Sequence, residues 1–324
     1  MEVAVRPKLS RADVEALIRD RLGADAEVTA HEEFTDGYFN AAHGVDLADG
    51  RRLVVKVAPE RGVKVLRYEE DLMTAEIEFF ERAASVDVPL PRLWHTDAAA
   101  GVMIMDRLDG VRLPEAKKRM SEAEKLALRR ELGALGARVN TIEGEYFGYT
   151  RGHGRTRSDS WGESFLSIID DIVADIEEFG TVLPRPVAEI RELIASHRPL
   201  LDTVERPVLL HFDLWDGNVF VEPGEDGWRV QGFIDGERAL YGDPLAELVS
   251  LSFNEPAENE AVLDGYLGRE LTDDERRRLT LYQVYLWLIL AAECDVRGFD
   301  AAQSAEQYGW ATANLVRDLP LLES

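Results

Sequence analysis

The residues with the clearest chemical potential are two aspartates and an asparagine, Asp213, Asn218 and Asp235, each of which adjoins a short apolar run. These runs predict strands at Val208–Leu210, Val219–Val221 and Trp228–Ile234. A turn rich in glycine joins the last two runs and predicts a β-hairpin. We therefore expect the three polar side chains to meet at one end of a small sheet.

This set of side chains suits phosphoryl transfer. One carboxylate can orient an attacking hydroxyl and accept its proton, while an amide oxygen and a second carboxylate can hold Mg²⁺ against nucleotide phosphates. The alternative is an ordinary hairpin whose Asp and Asn side chains are solvated. The occurrence of all three groups in order, each at a strand end, favours the catalytic interpretation.

The segment from His211 to Asp243 resembles the aminoglycoside phosphotransferase and choline/fructosamine kinase family, which has a protein-kinase-like fold. The resemblance rests on HFDLWDGN at His211–Asn218, IDGE at Ile234–Glu237 and GDP at Gly242–Pro244. It implies that Asp213 is the catalytic base and that Asn218 and Asp235 bind Mg²⁺. It also implies that His211 braces the loop and that Asp243 caps the helix that follows.

Lys56 lies in the otherwise apolar strand predicted at Leu53–Val57. A buried ammonium group needs a partner or a ligand, because an unpaired charge is costly to bury. The alternative is an edge strand with an exposed lysine. The next helix is predicted to carry Glu76 beside an apolar face formed by Met73, Ile77, Phe80 and Ala84. The resemblance implies that Lys56 binds the α and β phosphates and is held by Glu76, whose rivals are Glu69, Glu70 and Glu78.

The resemblance assigns two further segments to the nucleotide. The loop from Thr35 to Asn40 joins the first two predicted strands, where the family has the loop that covers the phosphates, and its candidates are Thr35, Gly37 and Asn40. An ordinary turn is the alternative. The segment that contains Met105 and Arg107 would be the hinge between lobes, whose backbone groups contact the adenine edge. ATP is the expected donor, and GTP is possible.

The order of the predicted elements indicates an α+β protein with a bilobal, protein-kinase-like fold. Residues 1–107 are predicted to form a small N-terminal lobe built on an antiparallel sheet, and residues 108–324 a larger, mostly helical C-terminal lobe. Asp49-Gly50 predicts a hairpin turn in the first lobe. Residues 114–206 should be helical apart from a polar loop. Capping boxes mark three helix starts, at Ser10, Ser121 and Thr272.

The composition is strongly acidic, with 62 Asp and Glu against 37 Lys and Arg and a net charge of −25. Such a surface disfavours nucleic acid and anionic membranes as partners. It is typical of proteins from hosts with high internal salt, where hydrated carboxylates keep the surface soluble, although an acidic protein from an ordinary host is the alternative. Because no apolar run is long enough to cross a bilayer, we expect a cytoplasmic protein, monomeric or homodimeric.

The sequence thus predicts an ATP-dependent phosphotransferase that moves the γ-phosphate to a hydroxyl of a small molecule, such as an amino sugar, an amino alcohol or a sugar-like metabolite. One alternative is a non-catalytic, nucleotide-binding regulatory module on the same fold, which would not need Lys56, Asp213, Asn218 and Asp235 together. The other is a metal-dependent phosphate hydrolase with His211, Asp213 and Asp235 as ligands, but such a site would want further histidines, and the six in the sequence are widely scattered.

A small-molecule acceptor is favoured over a protein, because few residues separate Asp235 from the helix predicted at Asp243. Protein kinases place an activation segment in this interval as a platform for their substrates. An acceptor pocket with carboxylates would suit an amine-bearing sugar or alcohol, although solvated surface acids are the alternative. The acidic candidates are Glu255, Glu293 and Asp295.

Overall fold

A five-stranded antiparallel sheet dominates the N-terminal part of the computed structural model, which describes residues 6–35, 37, 39–60, 62–151, 154–225 and 227–323. Its strands lie in the order β1-β2-β3-β5-β4. They are β1 (Val28–Phe34), β2 (Ala41–Leu47), β3 (Arg52–Val57), β4 (Leu93–Asp97) and β5 (Val102–Asp106). The hairpin predicted at Asp49-Gly50 is confirmed, and Gly50 has a φ of 90°, which a glycine adopts without strain.

Helices cover both faces of this sheet. The helix α1 (Arg11–Leu22) begins at the predicted capping box of Ser10 and shares one apolar cluster with Leu53 and Val55 of β3. The helix α2 (Leu72–Ala83) lies on the opposite face, in a cluster that includes Val54. Because side chains alternate along a strand, Lys56 points to the same face as Val54, towards α2.

The C-terminal part is mostly helical and surrounds the largest apolar core. Its helices are α3 (Leu113–Lys117), α4 (Glu122–Val139), α5 (Trp161–Phe179), α6 (Val187–Ser196), α7 (Arg198–Leu201), α8 (Leu248–Leu251), α9 (Pro256–Leu267), α10 (Asp273–Glu293) and α11 (Ala301–Asp318). The capping boxes predicted at Ser121 and Thr272 begin α4 and α10. In each, the hydroxyl and a glutamate three residues later satisfy backbone N–H groups that the helix leaves unpaired.

The helices α4 and α9 pack unusually close together. A Cβ atom on Gly133 of α4 would lie 2.2 Å from the carbonyl oxygen of Val262, and one on Gly265 of α9 would lie 2.0 Å from that of Arg130. Both distances are shorter than any carbon–oxygen contact allows. Glycine is therefore required at these two positions by the backbone of the neighbouring helix.

Two small sheets complete the fold between the helices. One has the order β10-β9-β6 and the other β7-β11-β8. Their strands are β6 (Val111–Arg112), β7 (Gly148–Tyr149), β8 (Val208–Leu210), β9 (Val219–Gly224), β10 (Gly227–Phe233) and β11 (Leu240–Gly242). The predicted hairpin is β9–β10, whereas the strand predicted at Val208–Leu210 pairs with β11. Two sheets rather than one therefore deliver the three polar side chains of the site.

The predicted α+β class, with a sheet lobe followed by a helical lobe, is confirmed. An apolar cluster joins the two lobes, since Phe79 and Phe80 of α2 share it with Leu209 and Tyr241. In the described ranges, none of the helices combines the length and the apolar character needed to span a bilayer.

Candidate active site

The loop after β8 carries Asp213 in a backbone conformation that needs external support. Phe212 has a φ of 60°, which is uncommon and strained for a bulky residue. The buried carboxylate of Glu247 accepts hydrogen bonds from the backbone N–H of His211 (2.8 Å) and of Phe212 (3.0 Å). Burial raises the pKa of Glu247 to about 7, against the effect of these two hydrogen bonds. Glu247 thus holds the loop in the shape that points Asp213 into the cavity.

His211 braces the same loop, as the resemblance implied. Its Nδ1 accepts a hydrogen bond from the backbone N–H of Asp213 (3.2 Å), so Nε2 carries the proton and donates to the carbonyl oxygen of Ile234 (3.0 Å). Burial lowers the pKa of His211 to about 4. The neutral imidazole therefore connects the catalytic loop to the end of the hairpin.

Asp213 is oriented by two donors. The side-chain amide of Asn218 donates to the backbone oxygen of Asp213 (2.9 Å) and to its Oδ2 (3.1 Å), and Arg238 donates to Oδ1 (3.3 Å). Burial raises the pKa of Asp213 to about 7, although Arg238 opposes the shift. A fixed carboxylate with a pKa near neutrality is well suited to accept a proton from a hydroxyl.

The oxygens of Asn218 and Asp235 form a donor set that fits Mg²⁺. The NH₂ group of Asn218 donates to the backbone oxygen and to Oδ2 of Asp213, so the amide oxygen of Asn218 is left for a cation. Asp235 has a φ of 61° and lies at the end of the hairpin. Carboxylate and amide oxygens are the ligands that Mg²⁺ prefers, with phosphate oxygens and water completing the shell. Across the described ranges, no group of three or more His, Cys, Asp and Glu side chains could hold a metal ion.

The buried pair of Lys56 and Glu76 is present. The Lys56 side chain is 7% exposed and that of Glu76 is 0% exposed, with 2.5 Å between Nζ and Oε1, and Lys56 also donates to Asp235. Burial lowers the pKa of Lys56, but Asp235 and Glu76 outweigh it, so the pKa is raised. Burial raises the pKa of Glu76 to about 7, and Lys56 opposes this. The rival glutamates have other partners: Glu69 bonds to Arg297, Glu70 to Arg155 and Glu78 to Tyr241.

Lys56, Asp213, Asn218, Asp235 and Arg238 line one cavity of about 1120 Å³ between the lobes, whereas Glu76, His211 and Glu247 support them from outside its lining. Of the residues assigned to the nucleotide, Gly37, Asn40, Met105 and Arg107 line it, whereas Thr35 is exposed and does not. Asp36 and Tyr38, in the same loop, lie outside the described residues. The opposite end of the cavity has a different lining, which includes six aromatic and aliphatic side chains from the loop after β8, from α10 and α11, and from the loops before α9 and before α11. These are Trp215, Phe253, Leu286, Leu290, Phe299 and Trp310.

A buried ionic network behind Asp213 was not predicted. Arg238 lies between Asp213 and Glu293 and donates to Glu293 Oε1 at 2.8 Å. Arg297 contacts the same oxygen at 3.2 Å and donates to Glu69 at 2.7 Å. The sequence signal for Arg238 is weak, since it is an arginine three residues after Asp235 and directly after Glu237. Its partner is 55 residues away along the chain, which local patterns do not reveal.

The network also reaches the segment ahead of α2. The Tyr68 hydroxyl donates to Glu293 and accepts a hydrogen bond from Arg297 (2.9 Å). Of the three acidic candidates for the acceptor pocket, only Glu293 lines the cavity, and Glu255 and Asp295 do not. Asp295 instead accepts a hydrogen bond from Thr181.

A sheet lobe with a Lys–Glu pair, a helical lobe with an Asp–Asn loop, and a shared cavity define a kinase-like phosphotransferase. The family model described as the APH phosphotransferase enzyme family matches residues 31–282, and the chain belongs to this family. A comparison with curated protein sequences gave no significant match.

Several solved structures are similar over nearly the whole chain. A candidate fructosamine-3-kinase from Thermobifida fusca YX-ER1 is 21% identical, with a TM-score of 0.68 over 95% of this chain and 100% of that one. The aminoglycoside phosphotransferase APH(2")-IIa, solved with gentamicin, is 16% identical, with a TM-score of 0.65 over 98% and 99%. The macrolide 2'-phosphotransferase MphH from Brachybacterium faecium is 15% identical, with a TM-score of 0.58 over 93% and 96%. At these identities the similarity shows the fold.

Proposed function

We propose that the protein transfers the γ-phosphoryl group of ATP to a hydroxyl group of a small molecule, with Mg²⁺. One observation carries this proposal: Lys56, Asp213, Asn218 and Asp235 line the same cavity. A non-catalytic nucleotide-binding module would not require a partly buried carboxylate that two donors orient in that cavity.

In the proposed complex, the sheet lobe binds the nucleotide. Lys56 contacts the α and β phosphates and is held in place by Glu76, while Gly37 and Asn40 lie above the phosphates. The backbone of the segment from Met105 to Arg107 contacts the base, and GTP is the alternative donor. A ternary complex of APH(2")-IIa with streptomycin and ATP supports nucleotide binding in this fold.

The helical lobe performs the transfer. The oxygen of the acceptor hydroxyl attacks the γ-phosphorus while Asp213 accepts the proton of that hydroxyl. The bond between the γ-phosphorus and the oxygen that bridges it to the β-phosphate breaks, and ADP leaves. Asn218 and Asp235 would hold Mg²⁺, which neutralises charge on the phosphates when it is bound. Arg238 keeps Asp213 directed at the hydroxyl. This assignment makes Asp213 the catalytic base and Arg238 a positioning residue.

The interval after Asp235 is too short for the activation segment with which protein kinases bind a protein substrate. After Asp235 the chain forms a single 3₁₀ turn at Gly236–Arg238, the short strand β11, and a second 3₁₀ turn that Asp243 caps. No residues in this interval are available for an activation segment. The helices α10 and α11 form the wall opposite the catalytic loop.

The proposal is tested by offering the enzyme γ-labelled ATP and a cell lysate separated by molecular mass. We expect label to enter the low-mass fraction, and Asp235→Ala, which removes a proposed Mg²⁺ ligand, to abolish this transfer. Label that enters proteins and no metabolite would refute the small-molecule acceptor. Release of phosphate at the same rate without any acceptor would instead support a hydrolase.

A further inference from the structure

The acceptor end of the cavity has an aromatic wall. Trp215 and Trp310 are 47% and 44% exposed, although both are large apolar side chains that line the cavity. Trp310 is fixed edge-on against Phe253 (5.4 Å between ring centroids) and Trp287 (4.9 Å). Trp215 lies over Gly217, where a Cβ atom would be 2.2 Å from its ring. Rings held this firmly present a pre-formed apolar surface to a ligand.

The carboxylates at this end already have cationic partners. Among the described lining residues they are Asp213, Asp216 and Glu293, whereas Glu237 accepts a hydrogen bond from Asn40 (3.2 Å), which belongs to the loop at the nucleotide end. Asp216 pairs with Arg129 (2.6 Å), and Glu293 pairs with Arg238 (2.8 Å) and Arg297 (3.2 Å). Burial favours the neutral form of Glu293, but Arg297 and Arg238 outweigh it and lower its pKa.

An ammonium group on the acceptor would therefore have to displace a guanidinium from a buried pair. The Arg129 and Arg238 side chains are only 2% and 7% exposed. Breaking such a pair leaves an uncompensated buried charge, which is strongly unfavourable. The site consequently offers little to a polycationic acceptor, although the net charge of −25 would attract one to the surface.

Part of the aromatic wall lies outside the family match. That match ends at residue 282, and Phe299 and Trp310 lie beyond it on or near α11. The family match therefore does not describe this part of the acceptor end.

We propose that the acceptor is an uncharged hydroxyl compound whose non-reacting part is flat and apolar and stacks on Trp215 and Trp310. This inference rests on the proposed phosphotransferase function and specifies its substrate class. The hydroxyl lies at Asp213, and the apolar part extends towards α10 and α11. Amine-bearing sugars, which the sequence had suggested, fit this end of the cavity poorly.

The test compares three probes by calorimetry in the presence of Mg·ADP: phenyl β-D-glucopyranoside, methyl β-D-glucopyranoside and the diamine 2-deoxystreptamine. Titrations are made in molar KCl, where the Debye length is about 3 Å and non-specific attraction of cations is screened. We expect the phenyl glycoside to bind about 10-fold more tightly than the methyl glycoside, because its phenyl ring gains one aromatic contact with the wall. The diamine should bind more weakly than either.

Variants of the wall make the test specific. Trp310→Ala should remove most of the advantage of the phenyl group, and Trp310→Phe, which keeps a ring, should retain part of it. Trp228→Ala is the matched control, because Trp228 is half-buried on β10 and does not line the cavity. Equal binding of the two glycosides, no binding of the phenyl glycoside, tighter binding of the diamine, or an unchanged advantage in Trp310→Ala would each overturn the proposal.

Titration of Mg·ATP into the same samples separates this inference from the function on which it rests. Nucleotide binding that depends on Asp235, together with a preference for the diamine, would refute only the substrate class. If the unmodified protein does not bind Mg·ATP, the phosphotransferase function itself is refuted.

Discussion

Asp213 combines partial burial, two orienting donors and a raised pKa, so its removal should affect the chemical step more than binding. We expect Asp213→Asn to lower kcat by at least ~10², the lower end for loss of a general base. The affinity for Mg·ATP should change little, because Asp213 is not a proposed ligand of the nucleotide or the metal. Steady-state kinetics and calorimetry measure the two effects. Asp264→Asn, at an exposed position, is the control, and a nearly normal kcat in Asp213→Asn would contradict the assignment.

His211 should make stability depend on pH. Its pKa is lowered to about 4 in the folded protein, whereas an unfolded histidine titrates near 6.5. Between these values the unfolded chain takes up a proton that the folded chain does not, so the free energy of unfolding falls as the pH drops from about 6.5 to about 4. The loss amounts to roughly 3 kcal/mol over this window.

His211→Gln should flatten that dependence, and urea unfolding at pH 4.5, 5.5, 6.5 and 7.5 measures it. His197→Gln is the control, because His197 also bonds to a backbone carbonyl, that of Leu322, but far from the catalytic loop. If His211→Gln and the unmodified protein lose stability in parallel, another group is responsible for the slope.

At the level of single residues, the sequence was sufficient to predict those site residues whose position is indicated by their immediate neighbours in the chain. Asp213, Asn218 and Asp235 stand at strand ends, and Lys56 interrupts an apolar strand, so their positions could be predicted. Arg238 could not, because its role depends on contacts with Glu293 and Asp213 that only the tertiary fold creates. Thr35 was chosen by its place in the loop alone, and in the structure it is exposed and does not line the cavity.

At the level of elements, helix starts and hairpins were predictable because their signals are short. A capping box spans four residues and a hairpin turn two, so Ser10, Ser121, Thr272 and Asp49-Gly50 each identified a boundary. The contact between α4 and α9 was not predictable. Glycine in a helix is unfavourable for the isolated helix, and only the neighbouring backbone explains Gly133 and Gly265.

Replacing these glycines by alanine should distinguish the effect of helix propensity on stability from the effect of helix packing. Gly133→Ala and Gly265→Ala should each destabilise the protein by about 1–3 kcal/mol, because a methyl group would overlap a carbonyl oxygen of the facing helix. Gly309→Ala in α11 is the matched control, since a Cβ atom there has no neighbour within 4 Å. It should be neutral or stabilising by up to about 1 kcal/mol. Urea midpoints measure all three, and equal effects at the three positions would contradict the close packing.

For the whole molecule, the net charge of −25 predicts a dependence of stability on salt. Repulsion among surface carboxylates should destabilise the folded state at low ionic strength and be screened as salt rises. We expect the Tm to increase steadily from millimolar to molar KCl. A parallel series in sucrose separates charge screening from general solute effects, and a flat profile in KCl would contradict an adaptation to high salt.

The order of lobes and the fold class could be predicted at this scale because the signals for sheet, helix and catalytic hairpin occur in sequence order. The identity of the acceptor could not, since the wall that contacts it is assembled from Trp215, Phe253 and Trp310, which are distant along the chain. The predicted monomer or homodimer, the cytoplasmic location and the boundary between residues 107 and 108 stay predictions.

The contacts of Tyr68 and Glu69 link the acceptor end of the cavity to the segment ahead of α2. Glu293 and Arg297 line the acceptor end, and through Tyr68 and Glu69 they also hold the segment that leads into α2, the helix that carries Glu76. We therefore expect an acceptor that shifts Arg297 to act on the Lys56–Glu76 pair at the nucleotide end. Acceptor and nucleotide should then change each other's affinity by one common factor, as thermodynamic reciprocity requires. Titrating each in the presence and absence of the other, in the unmodified protein and in Tyr68→Phe, measures that factor; a value of one would show that the two ends bind independently.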